Sequence, residues 1–278
     1  MATQGETLAE ELREYRGDSG GYVAELTADG GFAEVNASYV ADDVAVGGRE
    51  AIRLPAEAAA PSHEHQADFA AFGGYRVPVA LRLFEIVVAS IALALSAPVM
   101  LVVAAVVKLG TPGPALFRHH RIGVNGKLFQ FTKFRTLYAD AKQRWPELYA
   151  YRYTEDELRG LKFKVKEDPR ITPQGKWLRK STLDELPNFW HVLTGDMALV
   201  GPRPEIPDML PYYKGKMLRK FSVRPGITGL AQTSGRGRLS FRDTVALDLQ
   251  YVRKRSFWFD LRLLLKTFKM IVIRDGAF

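Results

Sequence analysis

The longest apolar stretch of the chain covers residues 86–107 and contains no charged side chain over 22 positions. As a straight α-helix it would be about 33 Å long, which is enough to cross the hydrocarbon core of a bilayer. The simplest prediction is therefore a membrane-spanning helix. Pro98 argues against it, because proline lacks an amide hydrogen and kinks a helix from within. Ser96, two residues earlier, could bind a backbone group that Pro98 leaves free.

The charges that flank this stretch also bear on its path through the membrane. Basic residues lie on both sides, whereas a spanning helix usually has most of them on one side. They are Arg76 and Arg82 before the stretch and Lys108, Arg118 and Arg121 after it. Symmetric flanks favour a bent, re-entrant helix over 76–109 that enters and leaves by the same face, although the spanning alternative stays open.

From residue 110 to residue 278 the pattern is that of a mixed α/β (α+β) body. Two strands at 116–122 and 127–137 are joined by Val124-Asn125-Gly126, a sequence typical of a tight hairpin turn. Helical spacing of apolar residues follows. The predicted helices cover 139–148, 172–180, 184–193, part of 207–221, 241–254 and 257–273.

The last of these helices carries three cations on one face, Arg262, Lys266 and Lys269. Its other positions, among them Trp258 and Phe268, form a broad apolar surface. This pattern is typical of an amphipathic helix that lies at the interface of an anionic membrane. A helix packed on the core with a solvated stripe has the same pattern, so both alternatives stay open.

Residues 1–75 differ from the rest in charge. They hold 14 acidic and 4 basic side chains and few large apolar ones, which predicts a mostly disordered, solvated tail rather than a docking segment, with a short helix near residues 8–15. No signal-peptide pattern opens the chain, so we expect a cytosolic amino terminus. The remaining residues have a net charge of +18, which predicts an anionic partner: nucleic acid, anionic lipid or a phosphorylated substrate.

Residue types limit the chemistry further. Cysteine is absent, which excludes disulfides, thiolate metal sites and a cysteine nucleophile. The five histidines show no HExxH spacing, and we assign His119 and His120 to a basic strand rather than to a metal site. Any metal is therefore expected to have oxygen ligands.

Candidate chemistry is densest in residues 178–187, LRKSTLDELP, where Asp184 and Glu185 follow two cations. Thr182 and Glu185 have the spacing of a helix capping box, but Pro187 would then lie where an amide is needed. Asp184 as the N-cap fits better, and a helix start beside cations attracts phosphate and keeps an aspartate ionised. An ionised carboxylate can attack phosphorus, with Mg²⁺ between the two anions.

Other basic positions support an anion site. Arg203 lies between two prolines in Gly201-Pro202-Arg203-Pro204, a rigid setting for a guanidinium that binds phosphate. Lys133 lies in the second predicted strand, and RPGITG at 224–229 adds a basic turn. Each alone is equally compatible with an ordinary surface turn, whereas their combination with the carboxylate pair favours phosphate binding.

These motifs give the chain, from about residue 82 onward, a resemblance to the bacterial sugar transferase family, the monotopic phosphoglycosyl transferases. The matching segments occur in the family's order. They are GP at 113–114, FR at 117–118, RIG at 121–123, KFRT at 133–136, LRKSTLDELP at 178–187, GDMALVGPRP at 195–204, RPGITGLAQ at 224–232, LD at 247–248 and YV at 251–252.

The resemblance implies transfer of a hexose-1-phosphate from a UDP-hexose, glucose or galactose by analogy, to undecaprenyl phosphate, with Mg²⁺ as cofactor. Asp184 would be the nucleophile, and its attack would release UMP. It would also lie beside the metal, and Glu185 would assist with the metal or with proton transfer. The substrate phosphates would be bound by Lys133, Arg179, Arg203 and Asp248.

The resemblance also implies a re-entrant helix that breaks near Ser96 and Pro98 in the bacterial inner membrane, with the catalytic domain on the cytosolic face. The family usually has serine directly before this proline, where this chain has Ala97. With only an acidic tail before the membrane helix, the chain would be a minimal core enzyme. Its partners would include inner-membrane lipid but not nucleic acid, and whether it forms a homo-oligomer stays open. The alternative is a non-enzymatic membrane scaffold that binds anionic lipid or nucleic acid.

Overall fold

The computed structural model describes residues 63–72, 75–161, 167–235 and 238–273. The acidic tail up to residue 62 and its predicted helix near 8–15 lie outside them. The helices are α1 (His63–Ala70), α2 (Val79–Gly110), α3 (Ala141–Arg144), α4 (Glu155–Gly160), α5 (Pro173–Ser181), α6 (Asn188–Thr194), α7 (Leu230–Gly235), α8 (Phe241–Lys254) and α9 (Phe257–Ile273). The strands are β1 (Leu116–Ile122), β2 (Leu128–Phe134), β3 (Ala198–Val200) and β4 (Gly226–Thr228). Short 3₁₀ segments lie at Val124–Gly126, Pro146–Tyr149, Leu183–Glu185, Pro207–Tyr212 and Gly215–Ser222.

The predicted hairpin is confirmed. Strands β1 and β2 are antiparallel, with Ile122 opposite Leu128, and Asn125 in the turn has a φ of 51°. Strand β2 ends at Phe134, earlier than predicted. The backbone amide of the next residue, Arg135, still donates to Ala115, and its side chain turns into the interior and donates to carbonyl groups at the end of α2 and before β1.

A second, parallel pair, β3 with β4, was not predicted from the sequence. Ala198 lies opposite Gly226 and Val200 opposite Thr228. A Cβ atom at Gly226 would collide with the backbone of Gly201, so glycine permits the close approach of the two chain segments. This contact fixes the segment that carries Arg203, which follows β3 directly.

Proline accounts for two further differences from the predicted helices. The helix predicted at 139–148 is divided into α3 and a 3₁₀ segment that begins at Pro146. The helix predicted within 207–221 is replaced by two 3₁₀ segments, the first of which contains Pro207 and Pro211. Both changes follow from the missing amide hydrogen of proline. The helices predicted at 172–180, 241–254 and 257–273 are confirmed as α5, α8 and α9.

Helix α2 is the one helix of the described residues that is long and apolar enough to cross a membrane, judged by length and composition, and 11% of its most apolar stretch is buried. It is continuous through Pro98, so the proline does not divide it into separate helices. The Ser96 hydroxyl donates to the carbonyl of Leu93 at 3.3 Å. The carbonyl that Pro98 deprives of a partner is that of Ala94, four residues before it, so Ser96 does not satisfy it as predicted.

Both ends of α2 pack against the same body. Near its start, Glu85 is buried and accepts a hydrogen bond of 2.6 Å from Arg224, which lies just before β4. Arg82 donates to two carbonyl groups at the end of α6, at 2.6 and 2.7 Å. Near the end of α2, Val103 and Val107 are buried against β2 and α5. Arg82, counted above as a membrane flank, is therefore used within the protein.

The main core lies between α8, the 3₁₀ segments at 207–222 and helix α1. Tyr213 is central, with ring centroids 5.1 Å from both Phe221 and Phe241. Phe69 of α1 is buried and contacts Phe221 edge to face at 5.8 Å. The prediction of a solvated tail up to residue 75 is therefore wrong for 63–72, because Phe69 contributes to the core.

Helix α9 combines the two alternatives that its sequence left open. Phe259 and Leu263 are buried, so one side packs on the body. On the other side Trp258 and Phe268 are 71% and 69% exposed, which a solvated polar stripe does not explain. An exposed apolar surface beside cations such as Arg262 is typical of a helix at a membrane interface.

Candidate active site

Asp184 and Glu185 lie in a short turn between two helices. Helix α5 ends at Ser181, and Thr182 takes the left-handed conformation with φ 59°. The chain then forms the 3₁₀ turn Leu183–Glu185, and α6 begins only at Asn188. The prediction that Asp184 is the N-cap of a helix is therefore wrong. The left-handed conformation of Thr182 is unfavourable for a β-branched residue, and it is this turn, not a helix start, that sets the direction of the two carboxylates.

Asp184 is almost completely buried, with 6% of its surface exposed. No described residue donates a hydrogen bond to its carboxylate, which leaves both oxygens available to a ligand. Burial and the neighbouring Glu185 raise its pKa to about 6, whereas Lys133, Arg179 and Arg203 oppose this rise. The sequence predicted that cations would hold Asp184 ionised, but burial is the larger effect in the free protein.

Glu185 has the opposite character. Its carboxylate accepts a hydrogen bond of 2.9 Å from Nη2 of Arg203. Burial favours the neutral acid, but the ion pair with Arg203, together with the charges of Lys133 and Arg121, outweighs it and lowers the pKa of Glu185. The two adjacent carboxyl groups thus differ in acidity, as is usual for a pair with different roles.

Lys133 and Arg179 approach Asp184 from two other elements. Lys133 lies near the end of β2, and burial lowers its pKa to about 8 against the attraction of Asp184. Arg179 lies in the last turn of α5 and donates from Nε to the hydroxyl of Thr136 at 3.0 Å. Neither forms an ion pair with a carboxylate among the described residues.

Arg203 is fixed by the segment that carries it. The amide of Gly201 donates to the carbonyl of Thr228 at 2.8 Å, and the amide of Gly226 donates to the carbonyl of Pro202 at 2.9 Å. The backbone before Arg203 is therefore bound at both ends of β4. The side chain itself is exposed and reaches Glu185. The sequence prediction of a rigid turn that presents one guanidinium agrees with this geometry.

Asp248 does not join the other predicted residues. It lies in α8, is completely buried and contacts Nζ of Lys220 at 3.2 Å. Lys220 also binds Glu205 at 3.3 Å and the hydroxyl of Tyr213 at 2.9 Å. The structure thus places Asp248 in a buried network beneath the Arg203 segment, not on the surface that a substrate could contact.

Arg121 belongs to the site, although the sequence indicated only a flanking charge or part of a family motif. It is the last but one residue of β1, and its Nη1 donates to the carbonyl of Pro204 at 2.9 Å, next to Arg203. Its charge also lowers the pKa of Glu185. The available signal was the alternation of β1 and β2, which puts Arg121 and Lys133 on the same face of the hairpin.

The assembled site can bind a strongly anionic group. Four cations, Lys133, Arg179, Arg203 and Arg121, surround two carboxylates. Among the described residues no cluster of three or more acidic or histidine side chains could hold a metal by itself. Mg²⁺ commonly uses one or two carboxylates together with substrate phosphates, and the open oxygens of Asp184 fit that mode.

Comparison with known proteins agrees with this chemistry. The family model described as bacterial sugar transferase matches residues 77–274, which covers most of the described body. The chain belongs to this family. The match includes α2, the turn with Asp184 and α9, so these elements are parts of the family's own unit.

Individual members of the family differ in length from this chain. The galactosyl transferase CpsE of Streptococcus agalactiae is 44% identical over 59% of this chain and 36% of its own length. The undecaprenyl-phosphate galactose phosphotransferase of Salmonella typhimurium is 39% identical over 71% and 41%. The exopolysaccharide production protein ExoY of Rhizobium meliloti is 37% identical over 72% and 88%. The chain therefore spans about two fifths of the first two relatives and most of the third.

Proposed function

We propose that the protein transfers a hexose-1-phosphate from a UDP-hexose to undecaprenyl phosphate, as the first step of exopolysaccharide, capsule or glycan assembly. The observation that carries the proposal is the carboxylate of Asp184, which is buried, without a hydrogen-bond partner among the described residues, and surrounded by cations. The names of two relatives, a galactose and a glucose phosphotransferase that act on undecaprenyl phosphate, support the substrate class.

The reaction has two steps. Ionised Asp184 attacks the phosphorus that bears the sugar, an Asp–O–P bond forms, and the P–O bond to the nucleotide breaks with its electron pair, which releases UMP. A phosphate oxygen of undecaprenyl phosphate then attacks the same phosphorus and displaces the carboxylate. Lys133, Arg179 and Arg203 hold the phosphate oxygens in both steps, and the ion pair with Arg203 keeps Glu185 ionised.

Mg²⁺ fits this site as a cofactor that Asp184 and Glu185 would hold together with the substrate phosphates. When bound, it would neutralise the diphosphate and so reduce repulsion between the two anions. Its charge would also favour the ionised form of Asp184, which burial disfavours in the free protein.

We further propose that α2 is re-entrant, a path that its contacts support, and that the body lies at the cytosolic face of the inner membrane, where a nucleotide donor is available. A straight spanning helix has its ends on opposite sides of the bilayer, whereas here both Glu85 and Val107 pack on the same body. The middle of the helix, including Leu95 and Leu101, is exposed and apolar. This favours a helix that enters the bilayer with its middle and keeps both ends on the side of the body.

Two experiments test the proposal. Purified protein is assayed with a panel of radiolabelled UDP-sugars and undecaprenyl phosphate, and Asp184→Asn serves as the inactive comparison. Labelled lipid diphosphate-sugar and UMP are expected with at least one hexose. Binding to anionic vesicles without turnover of any sugar would instead favour the membrane scaffold.

Topology is tested with single cysteines, since the chain has none of its own. Ala71→Cys and Glu147→Cys lie at exposed positions before and after α2. In intact cells both should resist an impermeant thiol reagent until the inner membrane is opened. Labelling at position 71 alone would establish a spanning helix and overturn the re-entrant arrangement.

A further inference from the structure

One face of the β1–β2 hairpin carries a cation at each end. Arg121 lies opposite Phe129, and Lys133 lies opposite Phe117, so the register places both cations on the same face. Their positions along the hairpin differ by four residues, or roughly 13 Å between the backbones. Between them lies His119, opposite Phe131.

The guanidinium of Arg121 is held by groups that carry no negative charge. Its Nε donates to Nε2 of His119 at 3.0 Å, and its Nη1 donates to the carbonyl of Pro204 at 2.9 Å. The group also lies over the ring of Phe131, 5.5 Å from the centroid. Burial, followed by the charges of Arg121 and Lys133, lowers the pKa of His119 to about 3, so the imidazole is neutral and can accept.

This arrangement orients Arg121 without neutralising it. Its third nitrogen, Nη2, has no hydrogen-bond partner, and the group has no ion pair, among the described residues. Burial and the repulsion of Arg203 lower the pKa of Arg121 to about 10, although the nearby Glu205 and Glu185 act in the opposite direction. The Arg121 and Arg203 guanidinium groups repel each other, and a further anion bound beside them would reduce that repulsion. The geometry therefore fits an anion at Arg121.

The position of Arg121 indicates which part of the substrate it contacts. The cations that act most strongly on Asp184 are Lys133, Arg179 and Arg203. Arg121 acts on Glu185, as Lys133 also does, and its Nη1 donates to the carbonyl of Pro204, next to Arg203. With the attacked phosphate held at Asp184 by Lys133 and Arg179, the next phosphate of a diphosphate would reach Arg121 along the hairpin face that carries both Lys133 and Arg121.

We propose that Arg121 binds the phosphate that departs with the nucleotide, and that His119 is the residue that positions it. The inference rests on the proposed function. When the P–O bond between the two phosphates breaks, its electron pair passes to the nucleotide phosphate, and the free N–H groups of Arg121 stabilise that charge. UMP is the product that should retain this contact.

The test measures UMP binding to the full-length protein by isothermal titration, and steady-state turnover in parallel. Arg121→Met should weaken UMP binding and raise the KM for the UDP-sugar, each by about 10- to 100-fold, while the KM for undecaprenyl phosphate is unchanged. Arg118→Met is the matched control, because Arg118 is exposed on the opposite face of β1. Arg121→Lys, which keeps the charge, should retain part of the affinity.

His119 is tested through Arg121. His119→Leu removes the acceptor and should weaken UMP binding, whereas His119→Gln keeps an acceptor oxygen and should restore most of it. In the Arg121→Met protein, His119→Leu should have no further effect, as expected for a residue that acts through Arg121. His120→Leu, at an exposed position on the other face, is the control.

Each result decides between the alternatives. Equal UMP affinity in wild type and Arg121→Met would overturn the inference while sugar transfer stands. A raised KM for undecaprenyl phosphate alone would assign Arg121 to the acceptor and overturn it equally. Failure of the wild type to turn over any UDP-sugar would instead refute the proposed function itself.

Discussion

Two groups of acidic and basic side chains adjoin the segment that carries Arg203. In the buried group, Lys220 contacts Glu205, Asp248 and the hydroxyl of Tyr213. In the candidate site, cations outnumber carboxylates, and Lys133 has no ion pair among the described residues. The buried group is closed to solvent and its one cation binds two carboxylates, whereas the candidate site has an excess of cations that an anionic ligand can neutralise.

Replacing the proposed nucleophile is the most direct test of the role of the candidate site. Asp184→Asn removes the negative charge that attacks phosphorus, so turnover should fall by at least about 10³-fold. The variant should remain folded and membrane-bound, because no described residue depends on that carboxylate. Asp140→Asn, at an exposed surface ion pair, is the control with normal turnover. Near-normal activity of Asp184→Asn would reject the nucleophile.

Removal of the metal comes next in expected effect. EDTA should reduce turnover to background, and added Mg²⁺ should restore it, because the site has two carboxylates that must approach a diphosphate. The measurement is UMP release before and after chelation of metal-depleted protein. Full activity of the depleted protein in EDTA would show that the four cations suffice.

The contrast between the two groups is sharpened by two matched lysine substitutions. Lys220→Met leaves Glu205 and Asp248 buried without a cation and should lower the free energy of unfolding by about 3–5 kcal/mol. Lys133→Met should leave the melting temperature unchanged or higher, because burial already disfavours that charge, while the KM for the UDP-sugar rises. Thermal unfolding and kinetics measured on both variants give the comparison. Equal loss of stability in both would contradict it.

The smallest expected effect is a bell-shaped pH profile of kcat/KM for the UDP-sugar. Asp184, with a pKa of about 6, must be ionised to attack, so the rate falls as pH decreases through 6. Lys133, with a pKa of about 8, must be charged to bind phosphate, so the rate also falls as pH rises through 8. Lys133→Arg should extend activity to higher pH. An unchanged alkaline limb in that variant would assign the limb to another group.

Sequence patterns predicted the elements whose formation depends on residues close together in the chain. The hairpin, α8 and α9 follow from alternation and helical spacing, and Asp184, Glu185 and Arg203 from charged residues beside glycine and proline. The left-handed Thr182 was not predictable, because the conformation serves a turn whose neighbours come from other elements. The parallel β3–β4 pair likewise depends on residues far apart in the chain. The family motif did not predict that Asp248 is buried, because its partner, Lys220, is not one of its neighbours in the sequence.

Buried Glu85 has a consequence for the order of assembly. Its partner, Arg224, lies 139 positions later in the chain, so α2 leaves the ribosome long before that guanidinium exists. Until then the carboxylate of Glu85 must stay hydrated, with Arg82, one turn earlier in the helix, as its counter-ion. Attachment of the amino-terminal end of α2 to the body is therefore a late event of biogenesis, and in a nascent chain arrested before Arg224 that end would stay undocked.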